Sequence, residues 1–173
     1  YKYFVWPLAD GVPPIHPDMV GNAADLVTNN LMYNCDNLLV DMILAPEAMG
    51  IPIAQEVSRR LRKPYSVVRK RKYGLPGEIE VTQQTGYSVS KMYINCVEPR
   101  QQVVIIDDVV STGGTLKAIM SALAKNDIGV LGAFTVIEKN GAAKKLFEEG
   151  YNVHALFDVV TDNNGIKDVL INE

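Results

Sequence analysis

The sequence predicts an α/β fold: a central, mostly parallel sheet flanked by helices, in a single domain spanning residues 1–173. Three observations predict it. Strand-like and helix-like apolar patterns alternate along the chain. The stretch "QVVIIDD" sets four branched apolar residues in a row, Val103, Val104, Ile105 and Ile106, which marks a strand buried on both faces. No internal repeat or low-complexity linker interrupts the alternation.

Taken in order, residues 3–6 read as a short strand. Pro7, Pro13, Pro14 and Pro17 then make 7–17 stiff and irregular. Asp18 is placed to cap a helix running to about residue 32, with Met19, Ala23, Leu26 and Val27 on one face. "NLLVDMILA" (37–45) reads as a buried strand, 50–62 as a helix and 65–69 as the next strand. Residues 70–78 are basic, then rich in glycine and proline, and form a loop. Two short strands are expected near 79–83 and 92–95. The strand at 102–107 leads into a helix at 114–125, followed by a strand at 130–138, a helix at 142–149 and a last clear strand at 153–160.

The length suffices for a sizeable core, and an apolar fraction of 47% with 21% charged residues is ordinary for a globular chain. A net charge of −3 argues against a general nucleic-acid binder. No apolar run approaches the roughly 18 residues that span a bilayer, and no segment reads as a signal peptide. Cys35 and Cys96 lack metal-ligand spacing and read as two reduced, buried thiols of a cytoplasmic protein. His16 and His154 have no partner pattern and read as structural or exposed.

The chemistry concentrates in "VVIIDDVVSTGGTLKAI" (103–119). Ligands of open parallel sheets bind beyond the carboxyl ends of the strands, where Asp107 and Asp108 are expected. Ionised carboxylates only accept hydrogen bonds, so sugar hydroxyls or a hydrated metal ion are their natural partners. Ser111, Thr112, Gly113, Gly114 and Thr115 then enter a helix whose first N–H groups point at an anion. Acids and amides a few residues apart suit a diol and a phosphate together, as in a ribose 5-phosphate.

That string resembles the phosphoribosyl-pyrophosphate signature of the type I phosphoribosyltransferases, which have a Rossmann-like sheet and a small hood. "APEAMGIPIA" (45–54) resembles the family's pyrophosphate loop, "VVRKRKYGLPGE" (67–78) its flexible loop, and "VIEKNGAAKKLFEEGYNV" (136–153) the segment whose lysine lies in the base pocket. With "TGYS" (85–88) and "YINCVE" (93–98), the chain looks most like the purine branch, nearest the archaeal hypoxanthine/guanine group. The resemblance implies that Asp107 and Asp108 serve catalysis by holding the ribose hydroxyls, directly or through water on a magnesium ion. Residues 111–115 would hold the 5-phosphate. Glu47, Ala48, Met49 and Gly50, with Arg69 and Lys72, would bind pyrophosphate, the Glu47–Ala48 peptide presenting its N–H. Related adenine enzymes often carry arginine where Met49 stands.

Lys139 would donate to the carbonyl oxygen on purine C6, which favours hypoxanthine or guanine over adenine. Val110 and Val5 are expected at the base, with Phe4 and Val12 further candidates in a hood built from about residues 1–17 and the C-terminal segment. The catalytic glutamate of adenine enzymes falls at about Gln84, and many hypoxanthine-guanine enzymes have aspartate at Ser111. The implied activity is purine salvage: transfer of phosphoribosyl from phosphoribosyl pyrophosphate to N9 of hypoxanthine or guanine by a homodimer using magnesium, without nucleic-acid or membrane partners. The alternatives are an adenine transferase and a non-catalytic sensor of phosphoribosyl pyrophosphate.

Overall fold

The apolar runs become the inner strands of one sheet in the computed structural model, which describes residues 5–84, 89–163 and 165–172. The chain runs α1 (Pro7–Asp10), α2 (Pro17–Asn34), a 3-10 turn (Asn37–Leu39), β1 (Met42–Pro46), α3 (Gly50–Leu61), β2 (Tyr65–Val68), β3 (Ile79–Gln84), β4 (Val89–Ile94), β5 (Gln102–Val110), α4 (Gly114–Lys125), β6 (Gly129–Lys139), α5 (Ala142–Glu148), β7 (Val153–Asp162) and β8 (Gly165–Ile171). Six strands form the main sheet in the order β2-β1-β5-β6-β7-β8, all parallel except β8, which pairs antiparallel with β7. β3 and β4 form a separate antiparallel hairpin.

β5 shows why an unbroken apolar run is needed. Val103 and Ile105 belong to the core beneath α4, α5 and the hairpin, whereas Val104 and Ile106 belong to the opposite core beneath α1, α2 and α3. All four are fully buried. In α3, Ile53, Ala54 and Val57 supply the buried stripe. Among the described residues, no helix is long and apolar enough to cross a membrane.

The structure corrects several expectations. Residues 5 and 6 are not in a strand, and residues 7–10 form a short helix with Pro7 at its first turn. Phe4 lies outside the described residues. α2 is capped by His16, whose Nδ1 accepts the Asp18 N–H at 3.3 Å, rather than by Asp18. Its buried face is Ala23, Ala24, Val27, Thr28 and Leu31, so Met19 and Leu26 lie outside it. Residues 37–39 coil into the 3-10 turn because Leu38 and Leu39 face solvent; the strand starts at Met42. β8 was missed, and it places the C-terminal segment at the edge of the main sheet. Cys35 is half-buried and Cys96 exposed, not two buried thiols. His154 is structural: it stacks on Phe134 at 5.2 Å and its Nε2 meets Asn152 Oδ1 at 2.8 Å.

Candidate active site

β1 and β5 are neighbours, yet the chain goes on from β1 to β2 on one side and from β5 to β6 on the other. Such a reversal opens a crevice beyond the strand ends. Pairing between β1 and β5 stops at Leu44 with Ile105, while β5 stays paired with β6 as far as Val110. Asp107 and Asp108 therefore lie inside β5, not at its carboxyl end as the sequence suggests, and β5 passes them unpaired on its β1 side.

The loop after β1 closes on these acids. A Cβ on Gly50 would fall 2.8 Å from the Ile106 carbonyl oxygen and 2.9 Å from Asp107 Oδ1, so only glycine allows α3 to start there. This contact joins the expected pyrophosphate loop to the expected ribose acids. The Glu47–Ala48 peptide bond is cis. Met49 caps α3 with no side-chain hydrogen bond, leaving the first helical N–H groups available to an anion.

The loop after β5 is shaped by Gly113. Its φ is +73°, and a Cβ there would stand 2.6 Å from Leu146 Cδ1, so this turn too is reserved for glycine. α4 then starts without a side-chain cap; Thr112 Oγ1 receives the Gly114 N–H only at 3.5 Å. Ser111, Gly114 and Thr115 are half-buried and Thr112 is exposed.

Both acids titrate above the ordinary carboxylate range. Burial is the largest cause for Asp107, and the negative charge of Asp108 adds to it. Burial also leads for Asp108; hydrogen bonds pull it back, and the charge of Asp10 pushes it up again. Asp107 Oδ1 accepts the Asp108 N–H at 2.9 Å. Asp10 belongs to α1, which packs over β5, so the N-terminal segment does lie beside the acids.

Arg69 stands at the end of β2 and reaches back to this crevice. Its Nη1 donates to Glu47 Oε2 at 3.2 Å, and the Lys70 N–H donates to Glu47 Oε1 at 3.0 Å. The Lys70 N–H is the largest influence on the Glu47 carboxyl; with Arg69 it outweighs burial and holds the group below its usual range. Lys72 is exposed in the loop that follows. That loop is gathered by Glu78, which accepts the Tyr73 N–H at 2.8 Å, the Gly74 N–H at 3.0 Å and Asn95 Nδ2 at 3.1 Å. Burial pushes Glu78 up, but these donors together bring it below the usual range.

The base-side expectations separate. Lys139 ends β6, half-buried, two residues past the pair Ile137 and Val109. Val110 is 2% exposed and packs into the α4–α5 core, because β5 is still a paired strand there; its side chain is not free to meet a base as expected. Val5 is 60% exposed and Val12 61%, so neither is packed over the crevice. The Gln84 side chain and the segment "TGYS" lie outside the described residues. Two residues escaped the sequence reading. Gln83 touches the second loop, its Oε1 receiving Thr115 Oγ1 at 3.4 Å and Ser90 Oγ at 3.3 Å. Glu138, 4% exposed, accepts the Ala143 N–H at 2.7 Å. Gln83 lies outside every quoted motif, and Glu138 lies inside the 136–153 segment, where Lys139 alone drew notice.

Comparison with known proteins bears on the family and the fold. The family model described as phosphoribosyl transferase domain matches residues 16–168. The chain is 44% identical over 167 residues to a protein of Ferroglobus placidus named hypoxanthine/guanine phosphoribosyltransferase, covering 96% of this chain and 87% of that one. It is 43% identical over 172 residues to the protein of the same name from Methanothermobacter marburgensis, covering 98% and 88%. A crystal structure of adenine phosphoribosyltransferase from Thermoanaerobacter pseudethanolicus superposes with a TM-score of 0.70 at 22% identity, covering 82% of this chain and 81% of that one, which is a likeness of fold.

Proposed function

The chain belongs to the phosphoribosyl transferase domain family, and on that premise we propose that it is a purine salvage phosphoribosyltransferase, transferring phosphoribosyl from phosphoribosyl pyrophosphate to N9 of hypoxanthine or guanine. One observation carries the reading: Gly50 sets the start of α3 against Asp107, so two helix starts and an acidic pair share one crevice. A 5-phosphate fits the uncapped start of α4, a pyrophosphate that of α3, and the ribose diol the carboxylates between.

In the reaction, the bond from ribose C1 to pyrophosphate breaks, the bond from C1 to purine N9 forms, and the N9 proton passes to solvent. Positive charge gathers on the ribose as the leaving group departs. Asp107 and Asp108 place negative charge beside it, while Arg69 and Lys72 offset the charge on pyrophosphate. Residues 111–115 fix the sugar so that attack is unimolecular in effect. Lys139 donates to a 6-oxo group, for which a 6-amino purine has no acceptor.

The site suits magnesium, because a carboxylate pair offers the hard oxygen donors this ion takes. Among the described residues no three His, Cys, Asp or Glu side chains cluster as a self-contained metal site, so the ion would arrive on the substrate's pyrophosphate, with Asp107 and Asp108 as its protein partners. When bound, it supplies charge neutralisation on the leaving group.

We also assign a cytoplasmic homodimer. Exposed apolar side chains support it: Tyr33 is 90% exposed on α2 and Ile171 78% on β8, and both line a single groove. Light scattering tests the dimer. Incubation with magnesium, phosphoribosyl pyrophosphate and a mixture of adenine, hypoxanthine, guanine and xanthine tests the activity. Inosine or guanosine monophosphate should form first; adenosine monophosphate forming first, or no nucleotide at all, would overturn the assignment.

A further inference from the structure

We infer that Glu138, clamped by Asn172, is a positioning residue for the base end of the site, and that it acts through Lys139; the inference rests on the function proposed above. Glu138 Oε2 accepts the N–H groups of Ala143 at 2.7 Å and Lys144 at 3.4 Å, in the first turn of α5. Its Oε1 accepts Asn172 Nδ2 at 2.6 Å. Asn172 is itself fixed to β7, its N–H donating to the Leu156 carbonyl and its side chain to the Ala155 carbonyl, both at 3.0 Å. One buried carboxylate thus ties the end of β6 to α5 and to the chain beyond β8.

Lys139 sits between two anchored residues. Glu138 precedes it; Asn140 follows, with its N–H on the Val159 carbonyl at 3.3 Å and its side chain on Thr161 Oγ1 at 3.0 Å and Thr161 N at 2.8 Å. A serine or aspartate at the helix start would close α5 with less burial of charge. A glutamate in the strand does more: it couples the helix and the C-terminal residues to the backbone that carries the lysine. Asp158 stands opposite Glu138 in the register of β6 and β7, so the Asn172 amide also puts a donor among acids. An error of about 1 Å in Lys139 would weaken its hydrogen bond to the base and leave the distant phosphate contacts alone.

The experiment uses the full chain and three variants: Glu138→Gln, Asn172→Asp, and the double variant, which restores a donor–acceptor contact between the two positions but gives up the bond to the Ala155 carbonyl. KM for hypoxanthine and for phosphoribosyl pyrophosphate is measured for each, with circular dichroism confirming the fold. Each single variant should raise KM for hypoxanthine about five- to tenfold, the loss of about one hydrogen bond. KM for phosphoribosyl pyrophosphate should stay within about twofold, and the double variant should lie below Asn172→Asp in KM for hypoxanthine, because the contact between positions 138 and 172 is restored. Should Glu138→Gln prove unstable, Asn172→Asp carries the same split. An unchanged KM for hypoxanthine, an equal rise in both KM values, or no recovery in the double variant would overturn the inference while a working wild-type enzyme upheld the function. A wild-type chain that forms no nucleotide from oxopurines would overturn both.

Discussion

Two helices follow adjacent parallel strands across similar turns: α4 after β5, and α5 after β6. Each begins at a left-handed glycine, Gly113 with φ +73° and Gly141 with φ +67°. Neither turn supplies a side-chain cap of its own. They differ in what the preceding strand delivers. β6 delivers Glu138, which fills the start of α5 with a carboxylate. β5 delivers Asp107 and Asp108, but Asp107 spends one oxygen on the Asp108 N–H, and the start of α4 stays open. The proposed 5-phosphate site would depend on withholding the carboxylate that would otherwise complete the helix.

The sharpest way to break the comparison is at the open turn. Asp108→Asn combined with Thr112→Val should cut turnover at least about 100-fold while leaving a folded protein. Wild-type rates would remove both residues from the site. Gly50→Ala should come next: with its Cβ 2.8 Å from the Ile106 oxygen, α3 must move off Asp107, and KM for phosphoribosyl pyrophosphate should rise by about tenfold or more. At the closed turn the effect should fall on stability. Glu138→Ala should cost about 1–2 kcal/mol in urea unfolding, the usual loss of a helix cap. Thr112→Ala at the open turn should stay within about 0.5 kcal/mol, because its bond to Gly114 is long.

A smaller effect separates stability from activity. Asp107 titrates above its usual range, chiefly through burial, so its charge opposes folding at neutral pH. Asp107→Asn should therefore raise Tm at pH 7, measured by thermal unfolding. As pH falls through the raised pKa, the wild-type carboxyl takes up a proton and regains that stability, so the difference should shrink before the ordinary aspartate range is reached. A gap that widens on acidification would contradict it. Activity of the same variant should be lost throughout.

How much of this was readable depends on where the information lay. Val103 to Ile106 announced β5 because burial on both faces removes every polar residue from the run. Gly113, Gly114 and the acids before them were readable as a group because the chemistry is local. β8 was hidden because it is an edge strand with nearly every residue exposed, so no alternation marks it. Leu38 and Leu39 misled in the opposite sense, as apolar residues that end up facing solvent in a 3-10 turn. Glu138 could not be found from sequence, since one of its partners lies five residues on and another 34. Val110 was expected at the base, but it is still paired with β6 and is buried in the core.

The ion pair between Arg69 and Glu47 has a bearing on selectivity. The guanidinium nearest the start of α3 already has a carboxylate partner at 3.2 Å. An arriving anion must draw it away, and a weakly charged one competes poorly against a neighbour covalently fixed in place. On the proposed function, this would favour a highly charged anion such as a diphosphate over a monoanion.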